Sequence, residues 1–519
     1  MILERSKNTK RNIVWGTVNK IVLVLLPFII RTIIIRELGI EYVGLNSLFT
    51  SILSILSLTE LGFDSAVVFI MYNGVANDDL PQLNALLSFI RKAYFIIGSS
   101  ILILGGLCML FLPYLISDAS SLPSDVNIYH IYIVFLLSTV TTYFFGGYRH
   151  SLVVAFQRND IISNINTILR VLFFGLQIFI LENYHNYYYY IYTLPICGIA
   201  INILVVYYSK RLFPHVYPDG TVSKEDKAQL KKLVIGAFIA KVGAMMTVTL
   251  DSIVISAFIG VKTLGYYSNY SYIISSLIGF LYIIYTSMQG GLGNSLILES
   301  VEKNYKDMLK FNFIYAWLIG WCFFCCIYLF QPFVKLWIGE IGLLPDSIMI
   351  LLCLFLYQSE CFGVVGSYKA ALGIVWEDRY RPLFSGGFKL ILSVILIFAF
   401  QRYGDEYALF GVVLSSILAY ALINCPWFTI ILFTKYFKKG LKECYIKTYS
   451  YFLGVIICSI LSYPIFMFFP PELGSTGYCN LAIRGICCMI IPNVLFFLLY
   501  RKTNEFMEAS VFLKSRFKK

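Results

Sequence analysis

Charge is what this sequence has least of. Only 13% of its 519 residues are Asp, Glu, Lys or Arg, about half the share of a soluble protein. Four histidines are present, and none is spaced for a metal. No Gly-rich loop precedes a helix to cradle the phosphates of a nucleotide. No polar connection is long enough for a folded catalytic domain. These absences exclude a soluble enzyme, a disordered chain and transport driven by nucleotide hydrolysis within the chain. The formal charge of +12 would suggest nucleic acid in a soluble protein. Here its distribution matters more than its sum, and nucleic acid is not an expected partner.

What fills the chain instead is apolar: 59% hydrophobic residues, with a mean hydropathy of +0.76. Roughly fourteen stretches are long and apolar enough to cross a bilayer. Among them are the first (Ile13–Ile35), second (Leu45–Met71), fourth (Ile128–Tyr148), fifth (Ile161–Leu181) and seventh (Leu233–Ile259). Alternating the connections puts about thirty Lys and Arg on one side and about four (Arg36, Lys262, Lys335, Arg402) on the other. Basic loops stay cytoplasmic, so both termini are expected in the cytoplasm. The first apolar stretch is too long for a signal h-region and lacks a cleavage site. Most of the thirteen cysteines, Cys322, Cys325 and Cys326 among them, fall inside spans, where Cys acts as a small hydrophobe. No metal site is expected from them.

The expected fold is all-α and polytopic, with two pseudo-symmetric six-helix lobes and a C-terminal helix pair. The basic connection 211–232, with Pro214, Pro218 and Gly220, reads as the linker between an N-terminal lobe (1–210) and a C-terminal lobe (233–435). Residues 450–500 form the last pair and 501–519 a basic tail. An internal repeat agrees. Gly39, Gly44 and Ser47 follow the first span as Gly260, Gly265 and Ser268 follow the seventh, and the same offset lays Lys20 over Lys241. The two spans run in one direction, so the repeat is parallel.

Polar side chains inside spans mark a solute or lipid pathway. Lys20, Pro27 and Arg31 are seven and then four residues apart, which places them on one helix face. The proline is a candidate hinge. Glu60 and Asp64, four apart with Ser57 on the same face, cannot both ionise readily in a low dielectric, and so suit ion coupling or charge pairing. Arg170 lies near mid-membrane and suits a phosphate, whose oxygens match the guanidinium fork. Lys241 and Asp251 come from the seventh span, Glu360 from the tenth. Lys369, Lys389 and Arg484 are nearer span ends, where anchoring competes with a pathway role. The cationic surplus favours an anionic cargo.

Several segments carry a resemblance. Asn19–Ile21, Leu26–Thr32 with Pro27 and Arg31, Gly39 through Asn46, Glu60–Phe63, Thr249–Ser256 and Gly265–Ser268 are similar to bacterial polysaccharide-biosynthesis membrane proteins. These are the Wzx-type O-antigen and capsule flippases of the multidrug/oligosaccharidyl-lipid/polysaccharide superfamily. The resemblance implies a fourteen-helix, two-lobed transporter of the bacterial plasma membrane. It would move an oligosaccharide on undecaprenyl diphosphate to the outer leaflet for surface polysaccharide such as lipopolysaccharide. It also implies no cofactor, coupling to a H⁺ or Na⁺ gradient, and a polysaccharide polymerase and a chain-length regulator as partners. Lys20, Arg31, Arg170 and Lys241 would then line the cavity as the basic groups that bind the head group. Lys20 stands where this family is expected to carry arginine, which keeps the charge and loses the fork. Two other readings compete: a drug or cation antiporter of the same fold, and a membrane polymerase or glycosyltransferase. The last is expected to need a large outer loop.

Overall fold

A computed structural model describes residues 5–57, 63–118, 122–374 and 376–517; for Lys241 and several neighbours the description stops at the backbone. Among the described residues every regular element is helical. The chain divides into two compact units, Met1–Gly265 and Tyr266–Lys519.

The first unit holds α1 (Arg5–Glu37), α2 (Ile40–Leu56), α3 (Phe63–Ala76), α4 (Leu80–Cys108), α5 (Ile128–Phe144), α6 (Tyr148–Ala155), α7 (Asn159–Tyr184), α8 (Tyr187–Leu212) and α9 (Lys224–Phe258), and reaches into α10 (Val261–Ser287). Polar caps start several of these helices, because the first amides of a helix have no partner within it. Asp79 accepts from the Gln82 amide at 2.9 Å, Asn127 from His130 at 3.1 Å and Ser223 from Asp226 at 3.0 Å. Within the first unit α9 packs on α2 and α3.

Eleven helices among the described residues are long and apolar enough to span a bilayer, or twelve if α5 and α6 form one span bent by 51°. That bend falls at Gly146 and Gly147. Gly146 has φ +89°, and a Cβ on Gly147 would lie 2.2 Å from the Thr142 carbonyl oxygen. Of the fourteen expected spans, the second falls on α2 and α3, with residues 58–62 between them outside the described residues. The seventh falls on α9.

Gly39 and Gly260, the first glycines of the repeat, take the same unusual backbone, φ +123° and +140°. Other residues avoid this region because their Cβ meets the backbone. Each turn starts a helix, and the two helix starts cross at their second glycines. A Cβ on Gly44 would sit 2.1 Å from the Val261 carbonyl oxygen, and one on Gly265 would sit 2.5 Å from that of Ile40. The Val261 amide donates to Asp118 Oδ1 at 2.9 Å, fixing the second turn.

The second unit is built on α11 (Gln289–Leu298), α12 (Val301–Ile338), α13 (Asp346–Glu360), α14 (Gly363–Ala371), α15 (Arg381–Phe400), α16 (Asp405–Ala419), α17 (Cys425–Leu432), α18 (Leu441–Met467), α19 (Gly474–Tyr500) and α20 (Asn504–Phe517). A π-helical turn, Tyr420–Asn424, joins α16 to α17. The last long helices pack on α12: Phe324, Tyr328, Phe466 and Cys488 form one buried cluster, with Cys325 against it. Tyr328 and Phe466 stack at 3.8 Å.

Candidate functional site

In the first unit α1 is joined to α7 by two asparagines. Asn12 Nδ2 donates to the Gln157 carbonyl at 3.0 Å and Asn12 Oδ1 accepts from the Asp160 amide at 2.7 Å. Seven residues on, Asn19 Nδ2 donates to Thr167 Oγ1 at 3.0 Å. Buried polar groups hold helices together where apolar contact alone does not discriminate protein from lipid. This seam sets the orientation of α1. Lys20, Pro27 and Arg31 lie about 100° around the helix from Asn12 and Asn19, off the α7 seam. Lys20 is exposed, Pro27 and Arg31 are half-buried, and Arg31 stands within electrostatic reach of Tyr190 on α8.

Arg170, on α7, is half-buried beside Cys197 of α8. Its Nε is shut off from water and has no acceptor among the described residues. One turn-pair further, Gln177 Nε2 donates to Thr193 Oγ1 at 2.6 Å, tying α7 to α8. An unsatisfied N–H on a cation in a membrane span is costly, and an anion would remove that cost.

Asp64, on α3, is fully engaged. Its carboxylate accepts from Tyr94 Oη at 2.7 Å and from Ser151 Oγ at 3.1 Å. Ser57 is not its partner, because that hydroxyl donates to the Leu53 carbonyl at 2.9 Å. Glu60 lies outside the described residues, as does the Lys241 side chain. Asp251 is buried in α9.

Past the α5–α6 bend lie two groups that sequence reasoning missed. His150 neighbours Asp64 and Asn202. Arg149 is 3% exposed; its Nη1 reaches Ser209 Oγ at 3.4 Å, and its Nε has no acceptor among the described residues. Hydropathy alone puts both just past the polar end of the fourth span. The Gly146-Gly147 pair was the available signal, since adjacent glycines bend a helix and the bend turns these side chains inward.

The second unit separates pathway candidates from structural cations. Glu360 is buried where α13 ends, and its Oε2 accepts from Tyr315 Oη at 2.6 Å. Tyr285 and Tyr420 stand within its electrostatic reach. Lys389 is buried in α15. Lys369 and Arg381, by contrast, both bond Asp378. Arg484 donates to three backbone carbonyls, of Phe469 (2.6 Å), Tyr328 (2.9 Å) and Phe466 (2.9 Å). It closes the end of α18. Lys369 and Arg484 therefore leave the pool of cations that an anionic cargo could use.

A family model described as polysaccharide biosynthesis protein matches residues 9–289, more than half of the chain. The chain belongs to this family. The match takes in Lys20, Arg31, Asp64, Arg170 and Asp251. No curated protein matches. Among solved structures, this member of the polysaccharide biosynthesis family is similar to the lipid II flippase MurJ in an inward closed conformation. The TM-score is 0.63 at 14% identity, over 94% of this chain and 99% of that one. It is also similar to a multidrug resistance MATE family transporter of the MOP superfamily in an inward-facing conformation. There the TM-score is 0.60 at 16% identity, over 81% of this chain and 96% of that one. At such identities the likeness is one of fold. The fold is that of a multi-pass membrane transporter, and neither neighbour is an enzyme.

Proposed function

We propose that this protein is a flippase for a lipid-linked oligosaccharide, moving the sugar-bearing head group across the bacterial plasma membrane by alternating access. The single observation that carries the reading is Arg170, a half-buried guanidinium on a membrane span with an N–H that finds no acceptor among the described residues. A diphosphate of undecaprenyl type supplies acceptors in the geometry that a guanidinium fork prefers. Lys20 and Arg31 share a face off the α7 seam and add cationic surface for the same head group, with Lys241 as their counterpart in the repeat. Pro27, between them, is the hinge.

The matching turns at Gly39 and Gly260 support two lobes related by a parallel repeat. The basic connections support cytoplasmic termini. Coupling to H⁺ or Na⁺ falls to half-buried Asp64 and the buried carboxylates Asp251 and Glu360, with Glu60. A polymerase and a chain-length regulator would take the product onward. The test is Arg170→Ala in a strain whose surface polysaccharide depends on this chain. Polysaccharide is expected to disappear while protein level in the membrane stays normal, and unchanged polysaccharide removes Arg170 from the mechanism.

A drug antiporter is the second reading, favoured by Glu360 buried beside three tyrosines. That cage suits an organic cation. Raised resistance to cationic dyes on expression, with unchanged surface polysaccharide, selects it.

A further inference from the structure

On the side carrying the basic connections, α15 and α17 of the second unit enclose an open apolar groove of about 430 Å³, lined by Phe384, Leu422, Ile423, Pro426, Trp427 and Ile430 with Ile431 beside them. The hollow has a local cause. The π-helical turn Tyr420–Asn424 widens the helix, and Pro426 comes within the first turn of α17. Wide turns of this kind recur at functional sites. Asn424 anchors the turn to α15 by donating to Ser385 Oγ at 2.6 Å. Phe384 and Trp427 stack at 5.5 Å to form the wall.

One helical turn from Phe384, that wall runs into a cation. The Arg379 guanidinium carbon lies 3.9 Å from the Trp376 ring centroid and 4.4 Å from that of Tyr380. The Tyr380 carbonyl in turn accepts from the Phe384 amide. Stacking on rings orients a guanidinium without cancelling its charge. Arg379 Nε has no acceptor among the described residues. Its neighbours differ, because Lys369 and Arg381 share Asp378, and Lys435 faces Glu377 at 3.9 Å. Four cations thus meet two carboxylates around the 377–381 segment that leads into Phe384. Arg379 is the one of the four with no carboxylate partner among the described residues.

We propose that this groove binds an anionic phospholipid, with an acyl chain along Phe384, Pro426, Trp427 and Ile430 and the phosphate on Arg379. Charge complementarity selects the occupant. A zwitterionic head group brings its own cation to a rim already in cationic surplus, whereas a phosphatidylglycerol brings only the anion. Aromatic side chains at the end of a span sit at head-group depth, where Trp376 and Tyr380 stand. The site is separate from the Arg170 region and does not depend on the proposed transport activity.

The full chain is reconstituted in vesicles containing phosphatidylglycerol or phosphatidylcholine with brominated chains. Quenching of Trp427 is read as the difference between wild type and Trp427→Phe, which keeps the stack on Phe384. Phosphatidylglycerol is expected to associate roughly fivefold more strongly, the worth of one basic residue at an anionic surface. Arg379→Gln is expected to bring the two lipids level while quenching at saturation persists, and Arg379→Lys to keep the preference. Equal association of both lipids with wild type overturns the proposal, as does a preference that survives in Arg379→Gln. Displacement of phosphatidylglycerol by equimolar polyprenyl phosphate also overturns it, giving the groove to the carrier lipid.

Discussion

The crossing of the two repeated turns gives the sharpest test of the fold. Gly44→Ala adds one methyl group where the Val261 carbonyl oxygen would be 2.1 Å away, and ordinary contact begins at 3.4 Å. The obstacle is backbone, so no rotamer change relieves it, and the two helix starts must part by more than an ångström. Overpacking of this kind costs about 1–3 kcal/mol. Gly265→Ala, at 2.5 Å from the Ile40 carbonyl oxygen, belongs in the same range. Gly175 in α7 is the control, because nothing lies within 4 Å of its added Cβ. Gly175→Ala should gain about 0.5–1 kcal/mol by removing a glycine from a helix interior. The assay is thermal unfolding of purified protein in one detergent. Gly44→Ala and Gly265→Ala should both melt below wild type, and Gly175→Ala at or above it. If Gly44→Ala melts with Gly175→Ala, the turns do not cross as described and the argument for the repeat fails with them.

Arg170→Lys keeps the charge but loses the fork, so head-group affinity should fall about tenfold or more, the worth of a charged hydrogen bond; a binding titration with polyprenyl diphosphate checks this. Arg484→Met removes a donor from three carbonyls, of which that of Phe466 keeps the Phe469 amide at 3.3 Å; each carbonyl left without a donor costs about 1–3 kcal/mol. The substitution should lower the unfolding temperature without altering which lipid is carried. Tyr94→Phe takes from Asp64 its shorter hydrogen bond and should destabilise the first unit by about 1.5–3 kcal/mol, read in the same melts. Tyr315→Phe should change the dependence of transport on the ion gradient while leaving cargo affinity intact, measured as flux against an imposed gradient.

What the sequence made legible was local. The spacing of Lys20, Pro27 and Arg31 gave their shared face, because helix periodicity is a property of the chain alone. The Gly-x4-Gly repeat marked two turns that both need a positive φ. What stayed hidden was who partners whom across helices. Lys369 stood between anchor and pathway roles because spacing does not reveal that Asp378, nine residues on, is its partner. Arg484 looked like an anchor or a pathway cation because backbone carbonyls leave no mark in a sequence. Arg149 and His150 fall at a membrane edge by hydropathy, and only the 51° bend at Gly146-Gly147 turns them inward, His150 beside Asp64.

The turn Tyr420–Asn424 carries one residue more than an α-helix of its length would hold, and that surplus sets the register of α17. Deleting any one of these five residues would wind the segment back to regular geometry and rotate everything downstream by about 100°. Asn424 would then lose Ser385 and Arg381, and Trp427 would swing away from Phe384. The protein is therefore expected to tolerate a substitution here far better than a shortening. A length difference at this point between two relatives would foretell a different lipid-facing surface even where their residues agree.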